Sequence, residues 1–170
     1  MFIASATHTS QSLHAIPGGV QGIFTTVGAM RAFVNKYKSD PYIRNCAANL
    51  TFLTPEKSDF HEAITLYEYC RDNIKYVRDI CGIETLTSPD KTIQCGYGDC
   101  DDQSLLLATL AESIGIPSRF VIAGYSDPKI YEHVYVQLAV SGEWVDCDPT
   151  EHQYFGYAPP SPVVLSIEKV

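Results

Sequence analysis

Between Cys100 and Asp148 the hydrophobic period changes once, and this change restricts the fold more than any other feature of the chain. The stretch GDCDDQSLLLATLAESIGIPSR (98–119) carries Leu105, Leu106, Ala108, Thr109, Leu110 and Ile114 at helical spacing over a wide face. The spacing predicts a helix from about Cys100 to Ile114, apolar enough to be central. Gly115 and then Pro117 close it in the order expected at a helix C-terminus. From there the period is 2. RFVIAGY (119–125), HVYVQLAV (133–140) and EWVDCD (143–148) read as strands, with Ser141-Gly142 as a two-residue hairpin turn. The expected fold is α+β, with a central helix packed on an antiparallel sheet.

The chain ahead of this core is mainly helical in pattern. Residues 20–37 have helical character weakened by Gly22 and Gly28, and a short helix fits around 41–49. Residues 59–78 give the clearest early helix, with Phe60, Ala63, Ile64, Tyr67, Cys70, Ile74 and Val77 as one stripe and Ser58 or Asp59 as cap. Residues 79–99 carry Gly82, Pro89, Gly96 and Gly98 and read as a loop. Residues 1–19 read as irregular with a short strand at the start, and YAPPSPVVLSIEKV at the end as an edge strand after three prolines. One domain over 1–170 is expected: a helical part (1–90), a catalytic-like core (91–152) and a C-terminal extension (153–170).

Composition narrows the function classes. The formal net charge is -8, with no basic run, which argues against a nucleic-acid surface. No window reaches the ~18 apolar residues of a membrane span, and the N-terminus lacks the basic region of a secretory signal. The six cysteines (46, 70, 81, 95, 100 and 147) have no disulfide-framework spacing, so free thiols in a reducing cytoplasm are expected.

Cys100 sits among Asp99, Asp101 and Asp102 at the start of the central helix. Asp99 occupies the N-cap position, and carboxylates in the first turn are favoured there by roughly 0.3–1 kcal/mol each. The helix dipole favours a thiolate at Cys100, while the three carboxylates oppose it. A nucleophilic role therefore needs a base. Of the five histidines, His8 and His14 fall in the irregular N-terminus, His61 lies beside an apolar stripe, and His152 is in a loop. His133 begins a strand. If Val140 pairs with Glu143 across the turn, His133 and Asp148 become diagonal neighbours on one face, roughly 7–8 Å apart. A one-residue slip would separate them. Cys100, His133 and Asp148 then have the nucleophile, base and orienter pattern of acyl transfer, with Asp146 a weaker choice for the acid.

GDC, an apolar helix, GIPSRFVIAGY, HVYVQ and EWVDCDPT, in this order, resemble the transglutaminase-like superfamily of papain-related folds. The resemblance spans about 59–152 and implies Cys100 as nucleophile, His133 as base and Asp148 as orienting acid. GDCDD preceded by SPDKTI is more specifically similar to short transglutaminase-like proteins of tailed phages and prophages. Gln94, six residues before Cys100, matches the spacing of the oxyanion-hole glutamine in papain-like proteases. Asp99, Asp101 and Asp102 are candidate calcium ligands, being hard oxygen donors on one turn, and some transglutaminase-like proteinases with a similar acidic flank bind that ion. No cofactor is otherwise implied. Arg119 matches an arginine of the superfamily and is expected to have a structural role, pairing with one of these acids.

The leading expectation is a cysteine-dependent amide-bond hydrolase acting on a protein or peptide. The alternatives are a cross-linking transglutaminase and a non-catalytic phage assembly or virion-associated protein that keeps the fold, with phage structural proteins as partners. A zinc site built from Cys95, Cys100, His133 and Cys147 is a further, weaker alternative.

Overall fold

A computed structural model describes residues 20–55, 58–79, 85–127, 130–151, 153–157, 159–160 and 164–170. Three helices come first: α1 (Val20–Tyr37), α2 (Pro41–Thr51) and α3 (Asp59–Asn73). The two-residue strand β1 (Lys75–Tyr76) leads to α4 (Pro89–Cys95), β2 (Tyr97–Gly98) and α5 (Cys100–Ser113). Strands β3 (Ser118–Gly124), β4 (His133–Val140), β5 (Glu143–Cys147) and β6 (Val164–Lys169) complete the order. The expected starting strand, His8, His14, Cys81 and His152 lie outside the described residues.

The caps are the ones the side chains allow. Asp40 accepts from the N–H groups of Tyr42 and Ile43 ahead of α2, with Pro41 at the first helical position. Ser58 caps α3 by accepting from His61 N–H. That helix stops at Asn73, short of Val77, and Phe60 on its expected stripe is exposed while Leu66 is buried instead. The buried face is set by what α3 meets, which the stripe alone does not specify.

α5 is the centre of the molecule. Leu105, Leu106, Leu107, Ala108, Leu110 and Ala111 are all fully buried, because helices cover one side of α5 and the sheet covers the other. The sheet is antiparallel throughout, in the order β5-β4-β3-β6. In β4–β5 the register runs Val140↔Glu143 to Val136↔Cys147, as the two-residue turn at Ser141 and Gly142 requires. Val134, Val136, Leu138 and Cys147 face the helical core, whereas Tyr135, Val121 and Ala123 form a small cluster on the opposite face. The C-terminal segment adds an edge strand, with β6 pairing β3 from Arg119↔Lys169 to Gly124↔Val164.

Within the stretch 79–99, the part from Pro89 onward is not the loop its glycines and proline suggested. Pro89 starts α4, Gly96 ends it with φ 71°, and Tyr97–Gly98 pair in parallel with Lys75–Tyr76. Seven-residue and two-residue elements carry too few periods to be read from sequence. Gly98 is required by space. A Cβ there would stand 2.6 Å from the Cβ of Asp102 on the first turn of α5.

Candidate active site

The N-terminal turn of α5 is docked against β4 just beyond the point where β5 leaves it. The β4–β5 ladder ends at Val136↔Cys147. Two residues earlier, the Val134 carbonyl accepts a hydrogen bond from Ser104 Oγ (3.1 Å), and the Val134 N–H hydrogen-bonds toward the Cys100 sulfur. Cys100 is therefore held beside the residue that follows His133. A serine in an otherwise apolar helix was the sequence signal for this clip.

His133 and Asp148 meet on the sheet face opposite Cys147. His133 Nε2 lies 2.6 Å from Asp148 Oδ2, and the Asp148 side chain is fully buried. Asp148 Oδ1 accepts from Thr150 N–H (3.0 Å) and Thr150 Oγ1 (2.7 Å). The carboxylate is thus oriented from both sides. The threonine of the Asp-Pro-Thr run supplies the second side, a role the spacing alone did not assign. The Tyr135 ring stacks beside the imidazole, with centroids 6.1 Å apart.

The three aspartates around Cys100 separate into different roles. Asp99 Oδ1 caps α5, accepting from Asp101 N–H (3.1 Å) and Asp102 N–H (3.3 Å). Asp101 accepts from the Cys100 thiol at 3.6 Å. Asp102 turns inward, 4% exposed, and Oδ1 accepts from Thr87 N–H at 2.7 Å. It pins the chain ahead of α4 to the helix and is not available to an ion alongside the other two. The expected calcium trio is therefore reduced to Asp99 and Asp101, whose carboxylate oxygens lie with the Cys100 sulfur within 4.8 Å of one another.

The thiol is protonated at rest. Burial first, then Asp101 and Asp99, raise the Cys100 pKa well above its ordinary value, and the Val134 N–H opposes them. In this balance burial and the carboxylates outweigh the Val134 N–H.

The other candidates fall elsewhere. Gln94 is exposed in the last turn of α4, and no described contact joins its amide to Cys100 or His133. Arg119 does not pair with Asp99, Asp101 or Asp102. Its side chain starts on the far face of the sheet, where Nε donates to Gln137 Oε1 (2.7 Å) and the guanidinium lies 4.2 Å over the Trp144 ring. Gln137 in turn donates to Asp146 Oδ1 (2.7 Å), which gives Asp146 a place in this lattice and not beside His133. The zinc set is not assembled either. Cys95 is exposed on α4, and Cys147 is buried in the helical core because alternate residues of β5 face opposite ways.

A nucleophilic residue type at the start of a buried helix, with an imidazole–carboxylate pair on the adjacent antiparallel sheet, defines a transglutaminase-like, papain-related fold. The family model described as the transglutaminase-like superfamily matches residues 47–149, and the chain belongs to that superfamily. Among solved structures it is similar to a candidate cysteine protease from Cytophaga hutchinsonii (19% identity, 72% of this chain and 42% of that one, TM-score 0.54). A candidate protease from Parabacteroides distasonis is also similar (17% identity, 79% of this chain and 26% of that one, TM-score 0.57). The chain thus spans less than half the length of either protein. Calcium-bound LapG from Legionella pneumophila is matched over 84% of this chain and 87% of its own (18% identity, TM-score 0.52). At such identities the likeness is one of fold. No curated protein matches the chain. Among the described residues no helix is long and apolar enough to cross a membrane.

Proposed function

We propose that this chain is a cysteine-dependent amide hydrolase acting on a protein or peptide through a thioester on Cys100. The observation that carries the reading is the 2.6 Å contact of His133 Nε2 with a fully buried, doubly held Asp148, next to a cysteine tied to Val134. Because the resting thiol is protonated, His133 takes its proton as sulfur attacks the acyl carbon. The resulting imidazolium, stabilised by Asp148, returns that proton to the leaving amine as the C–N bond breaks. Water, deprotonated by the same imidazole, then releases the acid. An amine in place of water would give cross-linking with the same residues. The backbone N–H of Cys100 is not among the two that Asp99 caps, which suits it to the developing oxyanion.

The test is covalent labelling of Cys100 by p-nitrophenyl acetate, read by peptide mass spectrometry. A burst of acylation at Cys100, lost in His133→Ala, is the expected result. Absence of acyl-Cys100 in the unmodified protein overturns the hydrolase and cross-linking readings together. It would leave the fold as that of a non-catalytic assembly protein, phage-like or otherwise.

A second reading concerns calcium, favoured by the closeness of Asp99 and Asp101. These two carboxylates would hold the ion, with water completing a shell of six to eight oxygens. The bound charge would oppose what the acids do to the thiol. Iodoacetamide should then alkylate Cys100 faster in calcium than in EGTA at the same pH. Equal rates, with no heat of calcium binding by calorimetry, overturn this reading.

A further inference from the structure

Hydrolysis through a thioester passes through a tetrahedral oxyanion, and one N–H from Cys100 leaves room for a second donor. Gln94 was the sequence candidate, and it is exposed on α4. Residues 74–79 (IKYVRD), otherwise unused by the site, contain β1. Lys75 N–H donates to Gly96 C=O (2.9 Å) and Val77 N–H to Gly98 C=O (3.0 Å), which sets Tyr76 opposite Gly98, two residues before the nucleophile. The Gly98 carbonyl is held a second time by Gln103 Nε2 at 3.2 Å.

Partners in a parallel ladder project their side chains to the same face. The face of Gly98 is defined by what a Cβ would meet there, namely Asp102 on the first turn of α5. Tyr76 therefore projects alongside that same turn, while half of its surface stays exposed. Geometry of this kind delivers a phenol to the mouth of the site, where an acyl group must lie. We propose that Tyr76, through its hydroxyl, is the second oxyanion donor of this site, acting with the backbone N–H of Cys100 in place of Gln94; the proposal rests on the hydrolase reading.

The electrostatics agree with the placement. Burial raises the Tyr76 pKa first, then the charges of Cys100 and Asp99, with Arg78 opposing and Asp101 adding to the rise. The phenol lies in the field of Asp99 and Asp101, the acids that flank the nucleophile, and it stays protonated, as a donor must. A neutral tyrosine is a suitable oxyanion donor on chemical grounds: it is a strong O–H donor that carries no competing acceptor charge.

Two reactions of one cysteine separate the possibilities. Alkylation by iodoacetamide displaces iodide at a saturated carbon and forms no oxyanion. Acylation by p-nitrophenyl acetate does form one. Tyr76→Phe should lower the acylation rate of Cys100 by about 10²-fold while leaving its alkylation rate unchanged, and Gln94→Ala should change neither. The unchanged alkylation also shows that the variant is folded around the thiol. Acylation of Tyr76→Phe at the unmodified rate overturns the proposal. So does an equal fall in both reactions, which would make Tyr76 a prop for the thiol. If Cys100 in the unmodified protein is alkylated and never acylated, the hydrolase reading itself fails and the oxyanion role falls with it.

Discussion

Asp102 shows how far a single side chain is redefined by burial. In sequence it is one of three acids flanking a thiol; in the fold it is the acceptor for Thr87 N–H, inside the molecule. Burial above all, with Asp99 and Asp79 adding to it and backbone hydrogen bonds opposing, raises its pKa to about 7. An unfolded aspartate titrates near ~3.9. Between about pH 4 and about pH 7 the native state therefore holds more protons than the unfolded one, and stability falls as pH rises through this window. Asp102→Asn keeps an oxygen for Thr87 and removes the charge. We expect the variant to match the parent near pH 4 and to exceed it by on the order of 1–3 kcal/mol above pH 7. Urea denaturation across the range is the measurement, and parallel pH profiles for the two proteins would refute the assignment. His133 and Asp148 are the contrasting case. Their pairing follows from a register that a two-residue turn fixes locally, so it could be anticipated from HVYVQLAVSGEWVDCD alone.

At the scale of elements, the site depends on three short pieces arriving at the first turn of α5: β2, the start of β4, and the segment through Thr87. Gly98 makes the closest of these approaches. Both Cβ positions in the Gly98–Asp102 contact are fixed to backbone, so a methyl group cannot swing aside. Gly98→Ala should cost about 1–3 kcal/mol by overpacking, and the strain should also displace Cys100 from Val134. Chemical denaturation and the iodoacetamide rate of Cys100 read the two effects. Unchanged values for both would mean that β2 has more slack than its spacing shows. α5 itself was legible because its caps, charges and apolar face all point the same way. β1, β2 and α4 were not, since their order comes from packing on α5.

Over the whole molecule, the segment following Asp148 is anchored both to the sheet, where Gly156 N–H donates to the Asp146 carbonyl of β5 (3.1 Å), and to the helical layer. Tyr67 Oη (3.1 Å) and Arg71 Nη1 (2.9 Å) both donate to the Gln153 carbonyl, and Phe155 packs edge-on against Phe60 and Tyr67. These contacts join residues more than 80 positions apart in the chain. Arg71→Ala combined with Tyr67→Phe should remove about 1 kcal/mol per hydrogen bond. The loss should show chiefly as faster amide exchange over 150–157, with α5 still protected. Uniformly faster exchange along the chain would instead mean that this clasp stabilises the whole fold.

The sequence by itself determined the α+β class, the central helix with its Asp99 cap, the strand hairpin and its register, and the pairing of His133 with Asp148. Each of these rests on contacts between residues close in the chain: helix turns, a cap two residues away, a two-residue hairpin. The tertiary structure alone decided that Asp102 faces inward, that Arg119 lies over Trp144 and holds Gln137, that Cys147 is core, and that Tyr76 pairs with Gly98. Those outcomes depend on which faces of distant segments meet, and a side chain's charge, hydrogen bonds and proton affinity follow from the surface it meets.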